Sequence, residues 1–136
     1  MSTLKSKKIE GYRGYIFSRS INGNFIPQRV QNLVIKDFAQ RNKIFFKLSS
    51  TEYIMKDCYL MLNALIKDLK YLEGVIFYSF EMLPSKKTNR DKIIRKFLDK
   101  KKVIYFALEE MKIMNFKDFK KMETLIKLKS ETNIRK

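Results

Sequence analysis

Apolar residues in this chain fall into short clusters divided by polar segments, and the spacing within the clusters alternates between two types. Residues 12–18 (YRGYIFS), 43–48 (KIFFKL), 75–80 (VIFYSF) and 103–108 (VIYFAL) are brief and rich in aromatic and β-branched side chains, which predicts four strands. Between them, apolar residues recur at three- and four-residue intervals. Val30, Leu33, Val34 and Phe38 predict a helix over 27–41, opened by Pro27, whose missing N–H costs nothing at a first helical position. Leu62, Leu65, Ile66 and Leu69 predict a second over 58–70, ended by Gly74. Ile93, Ile94, Phe97 and Leu98 predict a third over 88–100, and Phe119, Met122, Leu125 and Ile126 a fourth over 116–129. Asn22-Gly23-Asn24 reads as a turn, residues 49–53 as a polar loop, and Pro84-Ser85 as a break.

Strand and helix thus alternate four times with short connections. That pattern predicts an α/β domain, doubly wound, with a four-stranded parallel sheet, right-handed crossovers and helices on both faces. The order 2-1-3-4, as in flavodoxin-like sheets, is the expected arrangement. Residues 11–129 form the expected domain, between a flexible lead (1–10) and a flexible tail (130–136).

Composition narrows the chemistry. The 136 residues hold no histidine and one cysteine, which removes the commonest catalytic base, a disulfide framework and a thiolate zinc cluster. No cofactor or metal is called for. Thirty Lys and Arg against 14 Asp and Glu leave a formal charge of +16, which suggests nucleic acid or an anionic membrane as partner. Lysine dominates and is dispersed, as biased codon usage in an AT-rich genome would also produce. No apolar run approaches the roughly 20 residues that span a bilayer. The first ten residues are polar and lysine-rich without a hydrophobic signal core, so a cytoplasmic protein is expected.

Open parallel sheets bind ligands beyond the carboxyl ends of their strands, where strand order reverses. Order 2-1-3-4 puts that crevice between the first and third strands. Ser18 and Arg19 leave the first strand there, residues 49–53 the second, Ser79 and Glu81 the third, and Glu109 and Glu110 the fourth, with Gln28 and Gln31 near the start of the first helix. Arg19 is the leading anion ligand, because its guanidinium is a planar fork that stays charged; the alternative is an ion pair with Glu52 or Glu81. Ser18 is a candidate nucleophile that would need Glu52, Glu81 or a lysine as base, or else a serine that merely bonds the next loop. Glu52 and Glu81 are a candidate acid–base pair. Gln28 and Gln31 suit hydroxyls or phosphate, and Tyr53 and Tyr78 a pocket wall. Neither a Walker loop nor G-x-G-x-x-G occurs.

Two family resemblances attach to these residues. Residues 15–19 with Gln28 and Gln31, and the run VIFYSFEMLP (75–84), resemble the catalytic domain of resolvase-type serine recombinases. That family's Arg-x-Ser and its further arginines are replaced here by Ser18-Arg19, Glu81, Met82 and Ser85, which implies a shared fold or a nucleic-acid-binding module, without recombination. The runs GYRGYIFSRSINGNFIPQRVQNLVIKDF, LSSTEYIMKDCYLML and IFYSFEMLP resemble the sporadic carbohydrate cluster protein family over residues 11–129. This resemblance implies a role in bacterial surface polysaccharide biosynthesis, as an enzyme or a sugar-binding accessory protein for a phosphorylated or nucleotide-linked sugar. It points to Ser18, Arg19, Asn22, Asn24, Gln28, Gln31, Ser50, Thr51, Glu52, Tyr53 and Ser79 as the distinctive polar set. A homodimer through the helix over 116–129 is a further expectation.

Overall fold

The computed structural model describes the backbone of residues 11–135 and side chains as far as Lys129. The expected lead over residues 1–10 lies outside the described residues. Five strands, β1 (Tyr12–Phe17), β2 (Phe46–Glu52), β3 (Gly74–Phe77), β4 (Val103–Phe106) and β5 (Met111–Ile113), form one sheet in the order β2-β1-β3-β4-β5. The first four are parallel in the expected order 2-1-3-4, and β5 adds antiparallel to β4. Four helices accompany them: α1 (Gln28–Arg41), α2 (Leu60–Lys67), α3 (Lys87–Asp99) and α4 (Phe116–Arg135). Short 3-10 turns at Leu69–Tyr71 and Phe80–Met82 complete the chain. No described helix is long and apolar enough to cross a membrane.

Side-chain alternation assigns the two faces. Tyr12 and Tyr105 stack edge-on and meet Phe38 of α1 on one side. Tyr15, Phe77 and Phe106 point to the other, where Phe77 meets Phe97 of α3 and Phe80 bridges Phe106 to Phe119 of α4. Offset and edge-on ring pairs of this kind add about 0.5–1.5 kcal/mol each beyond their buried area. Helix α4 is also tied to α3 by ion pairs among Lys87, Arg90, Asp91, Lys120 and Glu123.

Several expected boundaries move, each for a visible reason. The second strand runs over Phe46–Glu52, not 43–48, because Phe45 instead turns its carbonyl to the Tyr12 N–H and β1 pairs with residues as far as Glu52. Residues 49–52, expected in a loop, are therefore sheet residues. Gly74 does not end a helix but opens β3, where a Cβ would collide with the Val103 carbonyl and the Tyr12 ring. The third strand stops at Phe77 because Ser79 caps a 3-10 turn, accepting the Glu81 N–H. The fourth stops at Phe106, and the chain turns through Glu110, at φ 56°, into the unforeseen β5. Helix α1 is rotated from its expected face: Gln31, Ile35, Phe38 and Ala39 are buried, while Val30 and Leu33 are exposed. Leu125 likewise faces solvent on α4, which extends into the segment expected as a tail.

Candidate functional site

A cleft of about 470 Å³ opens at the carboxyl ends of β1 and β3, the point of strand-order reversal. Three connections wall it. The segment after β1 brings Arg19, Ser20 and Asn22; the loop between β2 and α2 brings Ile54, Lys56, Asp57 and Tyr59; the segment between β3 and α3 brings Phe80, Glu81 and Ser85, with Arg90 from the first turn of α3.

Asn22 and Gly23 both have positive φ, 49° and 82°, and Ile21 and Asn24 exchange both backbone hydrogen bonds across them. This is a two-residue hairpin turn, for which Asn-Gly is the favoured pair. It holds Asn22 at the cleft, with the Asn24 amide reaching back to the Asn22 carbonyl at 3.5 Å.

Arg19 lies where its fork was expected, but its partners differ from both carboxylates considered. Its Nη1 donates to the carbonyls of Tyr53 at 2.8 Å, Met55 at 3.0 Å and Cys58 at 3.0 Å. The guanidinium carbon sits 4.0 Å from the Phe17 ring centre and 5.2 Å from that of Tyr59. Among the described residues Arg19 makes no ion pair. Carbonyl dipoles and ring faces orient the cation without cancelling it. Arg90, by contrast, places Nε and Nη2 on Glu123, each at 2.9 Å, and Nη1 on the carbonyls of Ser85 and Pro84.

Glu52 is buried below the cleft and fully subscribed. Its Oε1 accepts from the Tyr15 hydroxyl at 2.7 Å and Leu62 N–H at 3.1 Å; its Oε2 accepts from Met61 N–H at 3.0 Å and Tyr53 N–H at 3.1 Å. Burial pushes its carboxyl up, but the hydrogen bonds from Met61, Tyr15, Tyr53 and Leu62 outweigh that and hold it below the ordinary range. The same contact raises Tyr15, first through burial and then through Glu52. Through these bonds the carboxylate ties β1 to the first N–H groups of α2.

Ser18 donates its hydroxyl to the Glu52 carbonyl at 2.8 Å, bonding the end of β2. Gln31 is wholly buried. Its Oε1 accepts from Phe17 N–H at 2.9 Å, and its Nε2 donates to the carbonyls of Phe17 at 2.9 Å and Ile26 at 2.8 Å. The amide acts as a surrogate strand for the end of β1. Ser50 accepts from Arg13 at 2.8 Å, and Ser79 donates to Glu109 at 2.8 Å. Thr51 pairs with Ile16 in the sheet, and Gln28 is exposed on the first turn of α1. Tyr78 is core, whereas Tyr53 is half-exposed.

The cleft therefore gathers Arg19, Asn22 and Glu81 from the expected set and leaves Ser18, Gln31, Ser50, Glu52 and Ser79 beneath it as framework. Partial burial raises the Glu81 carboxyl first, Glu109 raises it further, and Arg90 opposes both. The lining residues that sequence reasoning passed over are Lys56, Asp57, Tyr59, Phe80 and Arg90. For Arg90 a signal existed: one turn into the helix after the third strand is a position on the crevice edge. No group of three or more His, Cys, Asp or Glu able to hold a metal occurs among the described residues. Comparison of the chain with protein-family models, curated proteins and solved structures finds no match to any of them.

Proposed function

We propose that this protein binds a phosphorylated or nucleotide-linked sugar in the cleft between β1 and β3, as part of bacterial surface polysaccharide biosynthesis. The observation that carries the reading is the un-neutralised Arg19 guanidinium, held at the strand-order reversal by three carbonyls. The phosphate binds Arg19, assisted by Lys56 on the same wall. Tyr59 and Phe80 offer ring faces to a sugar or base, and Glu81 and Asn22 offer polar atoms to hydroxyls. Of the two carboxylates expected as an acid–base pair, Glu81 is the one that lines the cleft and would accept a hydroxyl proton, since Glu52 is engaged by buried donors. The pathway is supported by the resemblance of residues 11–129 to the sporadic carbohydrate cluster proteins.

A thermal-shift panel of sugar phosphates and sugar nucleotides tests the binding. A ligand at 100 times its dissociation constant stabilises the native state by about 2.7 kcal/mol. At least one compound is expected to raise Tm, and the rise is expected to shrink in Lys56→Ala and Glu81→Gln. A panel without any shift overturns the reading.

A further inference from the structure

The loop between β2 and α2 combines a fixed backbone with displayed apolar side chains. Arg19 binds its carbonyls at Tyr53, Met55 and Cys58, Glu52 binds the N–H groups of Tyr53, Met61 and Leu62, and Cys58 N–H closes a turn onto the Met55 carbonyl at 3.2 Å. Yet Tyr53, Ile54, Met55 and Leu60 are 50%, 71%, 58% and 61% exposed. A loop pinned from inside cannot tuck these groups under, so their contact with water is built into the fold. Apolar residues scattered singly need no explanation; several large ones in one short, ordered loop mark an interaction surface.

The charge around the loop defines the partner. Lys56 lies within it, and a second hollow of about 440 Å³ beside the first is lined by Lys86, Lys92 and Lys96 from the α3 side. The two hollows share Asp57, Tyr59, Pro84 and Ser85 as a common wall. None of these four lysines makes an ion pair among the described residues, whereas Lys87 and Lys120 on the α4 side are paired with Asp91 and Glu123. Asp57 is the one acidic residue lining both hollows. Apolar groups at a loop tip with unpaired lysines behind them match a lipid–water interface carrying negative headgroups.

We infer that residues 53–60 form a docking loop for an anionic membrane surface, Ile54 and Met55 entering the headgroup region while Lys56, Lys86, Lys92 and Lys96 meet lipid phosphates. Because Ile54 and Lys56 also line the first cleft, docking faces its mouth toward the lipid. The inference stands on the loop and does not depend on what the cleft holds.

Co-sedimentation with vesicles tests it, comparing phosphatidylglycerol/phosphatidylcholine mixtures with phosphatidylcholine alone at physiological salt, without sugar ligands. The protein is expected to sediment with the anionic vesicles only, and Ile54→Ser/Met55→Ser to lower the partition coefficient tenfold or more with unchanged Tm. Lys56→Glu, a separate variant of the same loop, is expected to weaken binding and flatten its salt dependence. Absence of binding, or equal binding by the serine variant, overturns the inference, the latter leaving only net-charge attraction. Light scattering that shows self-association abolished by the serine substitutions also overturns it, in favour of a second copy of the chain.

Discussion

The Tyr15 hydroxyl donates to Glu52 Oε1 at 2.7 Å, joining strand β1 to the carboxylate that caps α2. One buried anion thereby couples sheet, loop and helix. Removing its charge leaves five donors, the Cys58 thiol at 3.7 Å among them, aimed at a poorer acceptor. Glu52→Gln is expected to cost about 2–4 kcal/mol in urea unfolding, and Tyr15→Phe about 1.5–3 kcal/mol, as for hydrogen bonds to charged groups.

The pH dependence follows from the direction of the Glu52 shift. Its carboxyl is lower in the folded chain than in the unfolded one. The stability it contributes is therefore complete above the unfolded value of about 4.3 and is lost as pH falls through the folded value. Unfolding measured from pH 7 down to pH 3 should show this loss in the wild type, with a flatter profile in Glu52→Gln.

Glu81 shifts in the opposite direction, raised by burial and by Glu109. Its favourable contribution is present below the unfolded value and is lost as pH rises through the folded one. Glu81→Gln is thus expected to stabilise the protein slightly at pH 7, by less than about 1 kcal/mol for so exposed a group, with the gain vanishing near pH 4. A substitution that destabilises at pH 7 would contradict the repulsion assigned to this corner.

Gln31 gives a prediction of a different kind. Its amide satisfies the N–H and carbonyl of Phe17 together with the Ile26 carbonyl. Gln31→Leu keeps the volume but strands these groups, at about 1–3 kcal/mol for each buried one left unsatisfied. Hydrogen exchange at the Phe17 amide should accelerate sharply in this variant, while exchange in β4 should follow global stability only.

Gly74 sits where a Cβ would collide with the Val103 carbonyl. Because the obstacle is backbone of the paired strand, relief requires β3 and β4 to part. Gly74→Ala is expected to destabilise by about 1–3 kcal/mol or more, measured as a lowered urea midpoint.

The pattern of apolar residues foretold the parallel strands because β3 and β4 are buried on both faces and read as continuous apolar runs, while β1 is marked by its aromatic residues. It misplaced β2 because the inward positions of that edge strand hold Ser50 and Glu52, polar residues whose partners, Arg13 and Tyr15, are distant in sequence. The same cause rotated α1: Gln31 occupies a core position that a search for apolar periodicity gives to Leu33. Strand β5 is three residues long, too short for an alternating pattern to register. The position of the cleft followed from topology, and Arg19 from its place after β1. The division between cleft and framework did not, because Ser18, Glu52 and Gln31 become supports only through contacts across the tertiary structure.

The loop following β2 takes its shape from hydrogen bonds between its own main chain and two side chains outside it, Arg19 and Glu52. Conformation and identity are consequently separable at positions 54 to 56, though not at Asp57, whose φ of 59° restricts what can stand there: the groups displayed at 54 to 56 can be exchanged without rewriting the instructions that hold the loop. Such a segment works as a socket, and new recognition properties can be installed in it by local substitution while the rest of the molecule folds as before.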